Sequence, residues 1–540
     1  MKITTTEQMR EIEEAADSQG LTYATMMENA GRSVAEEIQD RFGAAGKSVL
    51  VLVGPGNNGG DGLVTARYLH QDGAQLQLYL WKRKLEDDEN FRLTQESDIP
   101  YTMADRDTKL RTLIQQLSEA DIVVDALLGT GVSLPLRGQL KDILKHLEEA
   151  RRSAQPPGLV AVDVPTGVDC DTGAVDAASV VCDLTVTLAL PKRGFYLFPA
   201  ADYLGELVVR DIGIPTSLTS QLTLELADAD LVKSLLPTRP RSAHKGTFGK
   251  ALVVAGSPNY TGAAYLASSA ATRVGAGLVT LCVAESLQPI LASKLTEVTF
   301  LLLPHDLGAL VPDGIKLIEE RLPDYNALLV GPGLGLEDST QEFVRELLGI
   351  QAGRQRRPVG FIGAREGSED QEAGSRPGLR VVIDADGLNT LARLPNWWES
   401  FDGQAILTPH PGEMARLLHC SVEEVEADRV ATARKAAEKW QQIVILKGAF
   451  SVVAAPDGRA VISPWATPAL ATAGTGDVLA GSLVGLLAQG SSLFEAAVAG
   501  VYLHGAAGVM AAAHFGEAGT VASDLLSRLP QVMKELRARR

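Results

Sequence analysis

A short apolar run that ends in glycine, Asn or Asp and passes directly into helical sequence recurs along this chain, and nothing else limits its fold as strongly. Ser48-Val49-Leu50-Val51-Leu52-Val53 delivers Gly54-Pro55-Gly56-Asn57-Asn58-Gly59-Gly60-Asp61-Gly62 to the helix-like 63–70. The run 122–124 ends in Asp125, 159–162 in Asp163, a run ending at Val330 in Gly331–Gly335, 381–383 in Asp384–Asn389, and 443–446 in Lys447. Continuous apolar runs of strand length belong to strands covered on both faces, and such strands alternating with helices make parallel sheets. The expected fold class is therefore α/β. Ligands of such sheets bind outside the carboxyl ends of the strands, so the glycines and acids at these exits are the candidate functional residues.

At 540 residues the chain exceeds what one core usually organises. The Ser/Thr-rich stretch 216–223, following Ile214-Pro215, marks the expected join, giving units 1–221 and 222–540. A formal net charge of -17 opposes non-specific attraction to nucleic acid or anionic lipid, so neither is an expected partner. Cys170, Cys182, Cys282 and Cys420 lack CxxC spacing and a histidine cluster, which points to reduced thiols and away from zinc or disulfides. Residues 1–20 lack the basic start and apolar core of a secretory signal, and no apolar run of about 18 residues stands out; a cytoplasmic location is expected.

In the first unit, the glycines after Val53 let backbone approach a ligand, while Asn57, Asn58 and Asp61 supply amide, carbonyl and carboxylate groups. The stretch is neither a Walker loop nor a GxGxxG fingerprint. Asp125 is followed by Gly129-Thr130-Gly131 and Pro135, and Asp163 by Pro165-Thr166. Either acid alone reads more readily as a cap for the next loop than as a catalytic group; three polar exits on one side of a sheet point to one site.

These residues, with Leu190-Pro191-Lys192-Arg193-Gly194, resemble the epimerase domain of the NAD(P)H-hydrate repair enzymes over most of 1–215. The resemblance implies a Rossmann-like three-layer domain that interconverts the R and S forms of nicotinamide cofactor hydrated at C6. It further implies a potassium ion held at Asn58, Asp125 and Thr166, the last standing where the family often has Ser. Asn57, Asn58, Gly59, Gly60, Asp61, Gly129, Thr130, Gly131, Pro135 and Asp163 would line the hydrated cofactor, with Asp163 moving the proton. Lys192 has two readings, a polarising or phosphate-binding group or a solvated strand-end lysine.

In the second unit the stretch Thr472-Ala473-Gly474-Thr475-Gly476-Asp477 stands before an apolar helical run, where backbone N–H groups and a positive helix end can face a polyanion. A carboxylate there repels phosphate, so Asp477 suggests a base aimed at a hydroxyl beside the phosphate; a tight turn with an Asp in its first helical turn is the plainer alternative. The small-residue helix from Ala263 to Gly277 fits close packing or ligand contact, and His244 reads as structural. Residues 351–378, rich in Gly, Arg, Glu and Ser, read as a mobile surface insertion.

As an ordered set, Gly331–Gly335, Asp384–Asn389, Pro409–Glu413, Lys447–Ser451 and Gly474–Asp477 resemble the ribokinase-like NAD(P)H-hydrate dehydratase domain over roughly 235–535. By that resemblance Lys447, Gly448, Ala449, Phe450, Ser451 and Gly476 contact the nucleotide. Ala263, Gly333, Gly335, His410 and Asp477 face the hydrated cofactor, with Asp477 catalytic. Implied partners are hydrated NADH and NADPH, ADP with ATP as the alternative donor, Mg2+ on the nucleotide, and further copies of the chain in a homo-oligomer. The reading is a bifunctional enzyme that epimerises the hydrate and dehydrates its S form using ADP, giving AMP and phosphate. The rival is a ribokinase-like kinase of a vitamin alcohol fused to a nucleotide-binding regulatory module.

Overall fold

The computed structural model describes residues 1–350, 379–401 and 404–539, so the expected insertion at 351–378 lies outside the described residues. The chain divides into two compact units, Met1–Leu224 and Glu225–Arg540.

In the first unit seven strands lie in the order Tyr101–Met103, Gln75–Leu80, Ser48–Val53, Ile122–Ala126, Gly158–Val162, Leu184–Leu188 and Glu206–Arg210, every pair parallel. Side-chain alternation along Ser48–Val53 feeds two cores. Val49, Val51 and Val53 join the helices Tyr23–Phe42 and Asn57–Gln71 on one face, and Leu50 and Leu52 join Arg111–Glu119 and Gln139–Arg151 on the other. Chain order reverses between Ser48–Val53 and Ile122–Ala126, and there a crevice opens at the carboxyl ends of the strands.

One boundary differs from the sequence reading. The helix begins at Asn57, not after Gly62, so Asn57–Gly62 is its first turns and not a loop before it. A Cβ on Gly59 would stand 2.1 Å from the Gly54 carbonyl oxygen, and one on Gly62 would stand 2.5 Å from the Ala126 Cβ. Glycine is required because the helix start lies directly on the strand ends.

In the second unit the strands Thr299–Leu303, Leu278–Ala284, Lys250–Val254, Ala327–Val330, Arg380–Ile383, Gln404–Leu407 and Ile443–Leu446 are parallel neighbours in that order. Val452–Ala454 and Ala460–Ile462 extend the sheet antiparallel. Order reverses between Lys250–Val254 and Ala327–Val330. The helix Thr475–Ala488 packs on Thr261–Arg273 through small residues, since a Cβ on Gly481 would lie 2.1 Å from the Ala267 carbonyl oxygen. Close packing thus accounts for much of the alanine run after Ala263.

The expectation that no membrane-length apolar run exists needs correction. Leu493–Phe515 is long and apolar enough by composition, with mean hydropathy 1.5, but 72% of that window is buried within the protein. It is a core helix, with Ala496, Ala497, Ala499, Gly500, Gly505, Ala507, Gly508 and Ala511 among its buried residues. All four cysteines are free thiols.

Candidate active sites

In the first unit a cavity of about 520 Å³ opens at the switch point. Asn57, Asn58, Asp61, Gly129, Thr130, Gly131 and Asp163 line it, as does Lys192. Gly59 and Gly60 instead back onto Gly54 and Met27, and Pro135 is not among the lining residues. Asp163 sits just past its strand with a left-handed backbone, φ 61°, a conformation that a short polar side chain tolerates. Its Oδ1 accepts from Thr187 Oγ1 at 2.9 Å, from the Leu188 N–H at 3.0 Å and from the Lys192 ammonium. Lys192 is 1% exposed and also donates to Thr187 Oγ1 and the Leu188 carbonyl, so the solvated reading of this lysine is wrong. Asp61, fully enclosed, has its pKa pushed well up by burial and then by the charges of Asp163 and Glu13.

Below the cavity floor, Asp125 Oδ1 accepts from Thr166 Oγ1 at 2.7 Å and the Leu127 N–H at 3.2 Å, while Oδ2 accepts from the Thr166 N–H at 2.8 Å. Burial raises the Asp125 pKa against these bonds. Asn58 Oδ1 and Nδ2 are buried with no hydrogen-bond partner, and a Cβ on Gly129 would stand 3.3 Å from that Oδ1. An unsatisfied buried amide carbonyl carries a desolvation cost of about 1–3 kcal/mol unless something binds it. The Leu128 N–H, one residue before Gly129, donates to Thr166 Oγ1 at 3.1 Å, so one loop touches both Asn58 and the Asp125–Thr166 pair, and the side-chain oxygens of the three are hard donors of the kind that suit an alkali or alkaline-earth cation. Among the described residues no group of three or more His, Cys, Asp or Glu has metal-binding geometry.

The second unit assembles its exits around a buried ion pair. Asp384, 1% exposed at the end of Arg380–Ile383, accepts at Oδ1 from Lys447 Nζ at 2.7 Å and Thr408 Oγ1 at 2.6 Å. Burial disfavours charge on Lys447, yet Asp384, Glu413 and Asp477 together hold its pKa above the ordinary lysine value. A Cβ on Gly476 would lie 3.6 Å from Lys447 Nζ and 3.9 Å from Asp384 Oδ2, so this pair lies under the first turn of Thr475–Ala488. Gly474, φ 90°, caps that helix without a side-chain acceptor, which leaves first-turn N–H groups available to an anion. Asp477 stands in the same turn and makes no hydrogen bond or ion pair to another described residue. Burial, then the Asp384 charge, pushes its pKa to about 7, with Lys447 opposing.

His410 caps the helix Pro411–Leu418: its Nδ1 accepts from the Gly412 N–H at 3.1 Å, and its backbone N–H donates to Glu413 Oε2 at 2.8 Å. An accepting Nδ1 is unprotonated, in agreement with a pKa lowered by burial and by Lys447 and Arg416. Gly333, φ 60°, abuts Tyr260 and Ala263, and the Gly335 N–H donates to Asp386 Oδ2 at 2.9 Å. Lys447–Ser451 forms a turn in which Ser451 Oγ accepts from the Gly448 N–H at 3.1 Å.

Three residues that sequence reading missed support these sites. Arg83 Nη1 donates to the Gly54 and Gly56 carbonyls at 2.9 and 3.0 Å while Nε pairs with Asp88, fixing the loop before Asn57. Arg429 Nη2 donates to the Leu446 and Lys447 carbonyls. His504 Nε2 lies 2.9 Å from the Thr475 carbonyl oxygen; a carbonyl only accepts, so Nε2 carries the proton, and burial lowers the pKa to about 4. All three bind backbone, and a side chain that serves backbone carries no motif.

A family model described as the YjeF-related protein N-terminus matches residues 23–194, and one described as NAD(P)H-hydrate dehydratase matches 251–357 and 364–531. Relatives named bifunctional NAD(P)H-hydrate repair enzyme Nnr include those of Moorella thermoacetica, 38% identical over 99% of this chain and 97% of the relative, and of Escherichia coli, 32% identical over 96% and 91%. A Bacillus subtilis ADP/ATP-dependent NAD(P)H-hydrate dehydratase crystallised with ATP/Mg2+ is 30% identical, covering 58% of this chain and 98% of its own, with a TM-score of 0.46. Matched from end to end by full-length relatives and in both units by the corresponding family models, the chain belongs to the bifunctional NAD(P)H-hydrate repair enzymes.

Proposed function

We propose that residues 1–221 interconvert the R and S forms of NADH and NADPH hydrated at C6, and that residues 222–540 dehydrate the S form using ADP. In the first unit Asp163 is the proton-moving group, and the Lys192 ammonium keeps its carboxylate oriented into the cavity. Asn57, Asn58, Asp61 and Gly129–Gly131 surround the ring and its phosphate. Asn58, Asp125 and Thr166 fit a potassium ion, because the buried Asn58 amide is otherwise without a hydrogen-bond partner. When bound, the ion supplies a positive charge that neutralises substrate phosphate or polarises the ring.

In the second unit Asp477 takes the C6 hydroxyl proton as that oxygen attacks the terminal phosphate of ADP, releasing AMP. Phosphate then leaves C6 as a C5 proton is lost, restoring the dihydropyridine. Lys447–Ser451 and Gly476 hold the nucleotide, the N–H groups after Gly474 meet the transferring phosphate, and His410, Gly333, Gly335 and Ala263 face the hydrate. Asp384, whose Oδ2 faces Gly476, is the carboxylate suited to Mg2+, which would neutralise charge on the transferring group.

The observation that carries the reading is Asp477, a half-buried carboxylate without a side-chain partner in the first turn of a side-chain-uncapped helix, with a pKa of about 7. A structural acid would be paired; an acid poised near neutral pH suits a general base. Net charge and the burial of Leu493–Phe515 favour action in the cytoplasm, free of nucleic acid and membrane, on substrate held by a homo-oligomer. Incubating the protein with mixed hydrate epimers and ADP should restore dihydronicotinamide absorbance from both epimers. Recovery from the S form alone would remove the epimerase, and a stable phosphate ester would favour the kinase reading.

A further inference from the structure

Glu13 has no assigned role, yet it faces the cavity of the first unit together with Asp163 and Lys192. It belongs to the helix Thr6–Ser18, whose Met9, Ile12 and Ala16 are buried; next to Ile12, its side chain emerges at the edge of that apolar stripe. The helix cannot swing freely. The Thr4 N–H donates to the Pro191 carbonyl at 3.1 Å, the Arg193 N–H to the Thr4 carbonyl at 2.9 Å, and the Thr6 N–H to Asp171 Oδ1 at 2.9 Å. The chain on both sides of Lys192 is thus stitched to the residues just before the helix, which fixes Glu13 relative to the Asp163–Lys192 pair.

Asp163 accepts three hydrogen bonds at one oxygen, whereas Glu13 makes no hydrogen bond or ion pair with another described residue. A half-buried carboxyl that faces a cavity and has no protein partner is free to meet a ligand there. The charged groups that act on it are Asp163 and Lys192 across the cavity, Arg10 on its own helix and Asp61 on the helix Asn57–Gln71. Burial, then the charge of Asp163, raises its pKa against the pull of Lys192 and Arg10, so Glu13 keeps its proton to higher pH than an ordinary glutamate.

We propose that Glu13 is the second acid–base residue of epimerisation, partnering Asp163 on the hydrated ring; this rests on the epimerase reading of the unit. The carbon to be inverted carries a hydroxyl and is bonded to N1, so it is a carbinolamine. Asp163 takes the hydroxyl proton as the C6–N1 bond breaks, its electron pair passing to N1, which receives a proton from Glu13. The product is an open-chain aldehyde with an N–H group. Rotation about C5–C6 presents the other carbonyl face, N1 re-attacks, and each proton returns by the reverse transfer. Nothing is oxidised or reduced, and no atom is gained. Two carboxyls, one bonded to a lysine and one that keeps its proton to higher pH than an ordinary glutamate, supply the base and acid that the opening needs.

The test follows conversion of pure R hydrate to S hydrate by chromatography for the wild type, Glu13→Gln and Glu13→Asp. Glu13→Gln should lower kcat about 10²–10³-fold, as expected for loss of a positioned acid, with KM within threefold. Glu13→Asp should recover part of kcat and shift the alkaline limb of the kcat–pH profile. ADP-driven dehydration of pure S hydrate, measured on the same samples, reports whether the chain is folded and active elsewhere. Wild-type kcat retained in Glu13→Gln, or an effect confined to KM, overturns the proposal. Should Glu13→Gln lose the melting transition of the first unit, the Glu13→Asp profile decides, and an unmoved alkaline limb overturns the proposal. A wild type that cannot interconvert the epimers sinks the epimerase reading itself.

Discussion

The two units solve the same construction problem and place the proton-moving aspartate differently with respect to their lysine. Each is built on parallel strands with a strand-order reversal, and each sets a strand-exit aspartate against a lysine, Asp163 with Lys192 and Asp384 with Lys447. In the first unit the paired aspartate is the one proposed to move the proton. In the second the pair is a foundation under Gly476, and the proposed base, Asp477, is a separate unpaired acid. Pairing fixes the orientation of a carboxylate, whereas Asp477, unpaired, sits close to the pH at which it can both take and release a proton. A reaction that must run in both directions and one driven forward by phosphoryl transfer can thus be built on one sheet type by moving the lysine.

The largest effect that would break this contrast comes from the two acids. Asp477→Asn should lower dehydration of S hydrate about 10²–10⁴-fold while R-to-S conversion persists, since the two units have separate cores. Asp163→Asn should do the reverse. Equal loss of both activities in either folded variant would mean that the units are not independent.

Stability should separate the same two variants by sign. Asp163→Asn leaves the buried Lys192 ammonium uncompensated and should destabilise the first unit by about 3–5 kcal/mol. Asp477 has a folded pKa of about 7, above its unfolded value, so the folded state favours its protonated form. Its ionised form therefore weakens the fold as pH rises through that range, and the penalty is absent below the unfolded pKa. Asp477→Asn should accordingly raise the melting temperature at pH 8 and leave it unchanged near pH 3. Matching shifts at both pH values would show that Asp477 is partnered in solution. The same titration should make wild-type dehydration fall about tenfold per pH unit below 7, because only ionised Asp477 accepts the proton.

Much of this contrast was legible in the sequence, because strand exits announce themselves. Asp125, Asp163, Asp384, Lys447 and Asp477 each follow an apolar run or open one, and topology alone brings each set to the carboxyl edge of its sheet. What sequence could not reveal was the partner of each charge. Lys192 read equally as solvated because nothing local encodes the enclosure that Thr187, Leu188 and Asp163 give it. Asn57–Gly62 read as a loop because glycine has low helix propensity, and only the contact with Gly54 and Ala126 explains why a helix starts there. Glu13 was hidden in an ordinary acidic amphipathic helix; its one signal was adjacency to the buried Ile12.

Potassium should discriminate between the units more gently. Exchanging it for a cation too large for the Asn58, Asp125 and Thr166 oxygens should slow epimerisation, lower the melting temperature of the first unit and leave dehydration unaltered. Asn58→Ala should abolish the cation dependence of melting, because it removes the one orphaned amide at the site. A melting temperature indifferent to potassium in the wild type would leave Asp125 and Thr166 as a plain loop cap.

The smallest expected difference concerns the phosphate donor in the second unit. Under the proposed reading Lys447–Ser451 anchors the nucleotide and its terminal phosphate meets the N–H groups after Gly474, and because Gly476 lies against Lys447 Nζ the span between anchor and transferring phosphate is short. A diphosphate and a triphosphate anchored alike at Lys447 place their terminal groups one phosphate apart. Transfer requires near-attack placement of that group against the C6 oxygen, and misplacement by an ångström can change the rate by orders of magnitude. ADP is therefore expected to drive dehydration faster than ATP at equal concentration, with AMP as product. Recovery of dihydronicotinamide absorbance from S hydrate measures both rates directly. Faster recovery with ATP would reassign the anchoring of the nucleotide along Lys447–Ser451, while the role of Asp477 would stand, because the proton it accepts comes from the same hydroxyl whichever nucleotide donates.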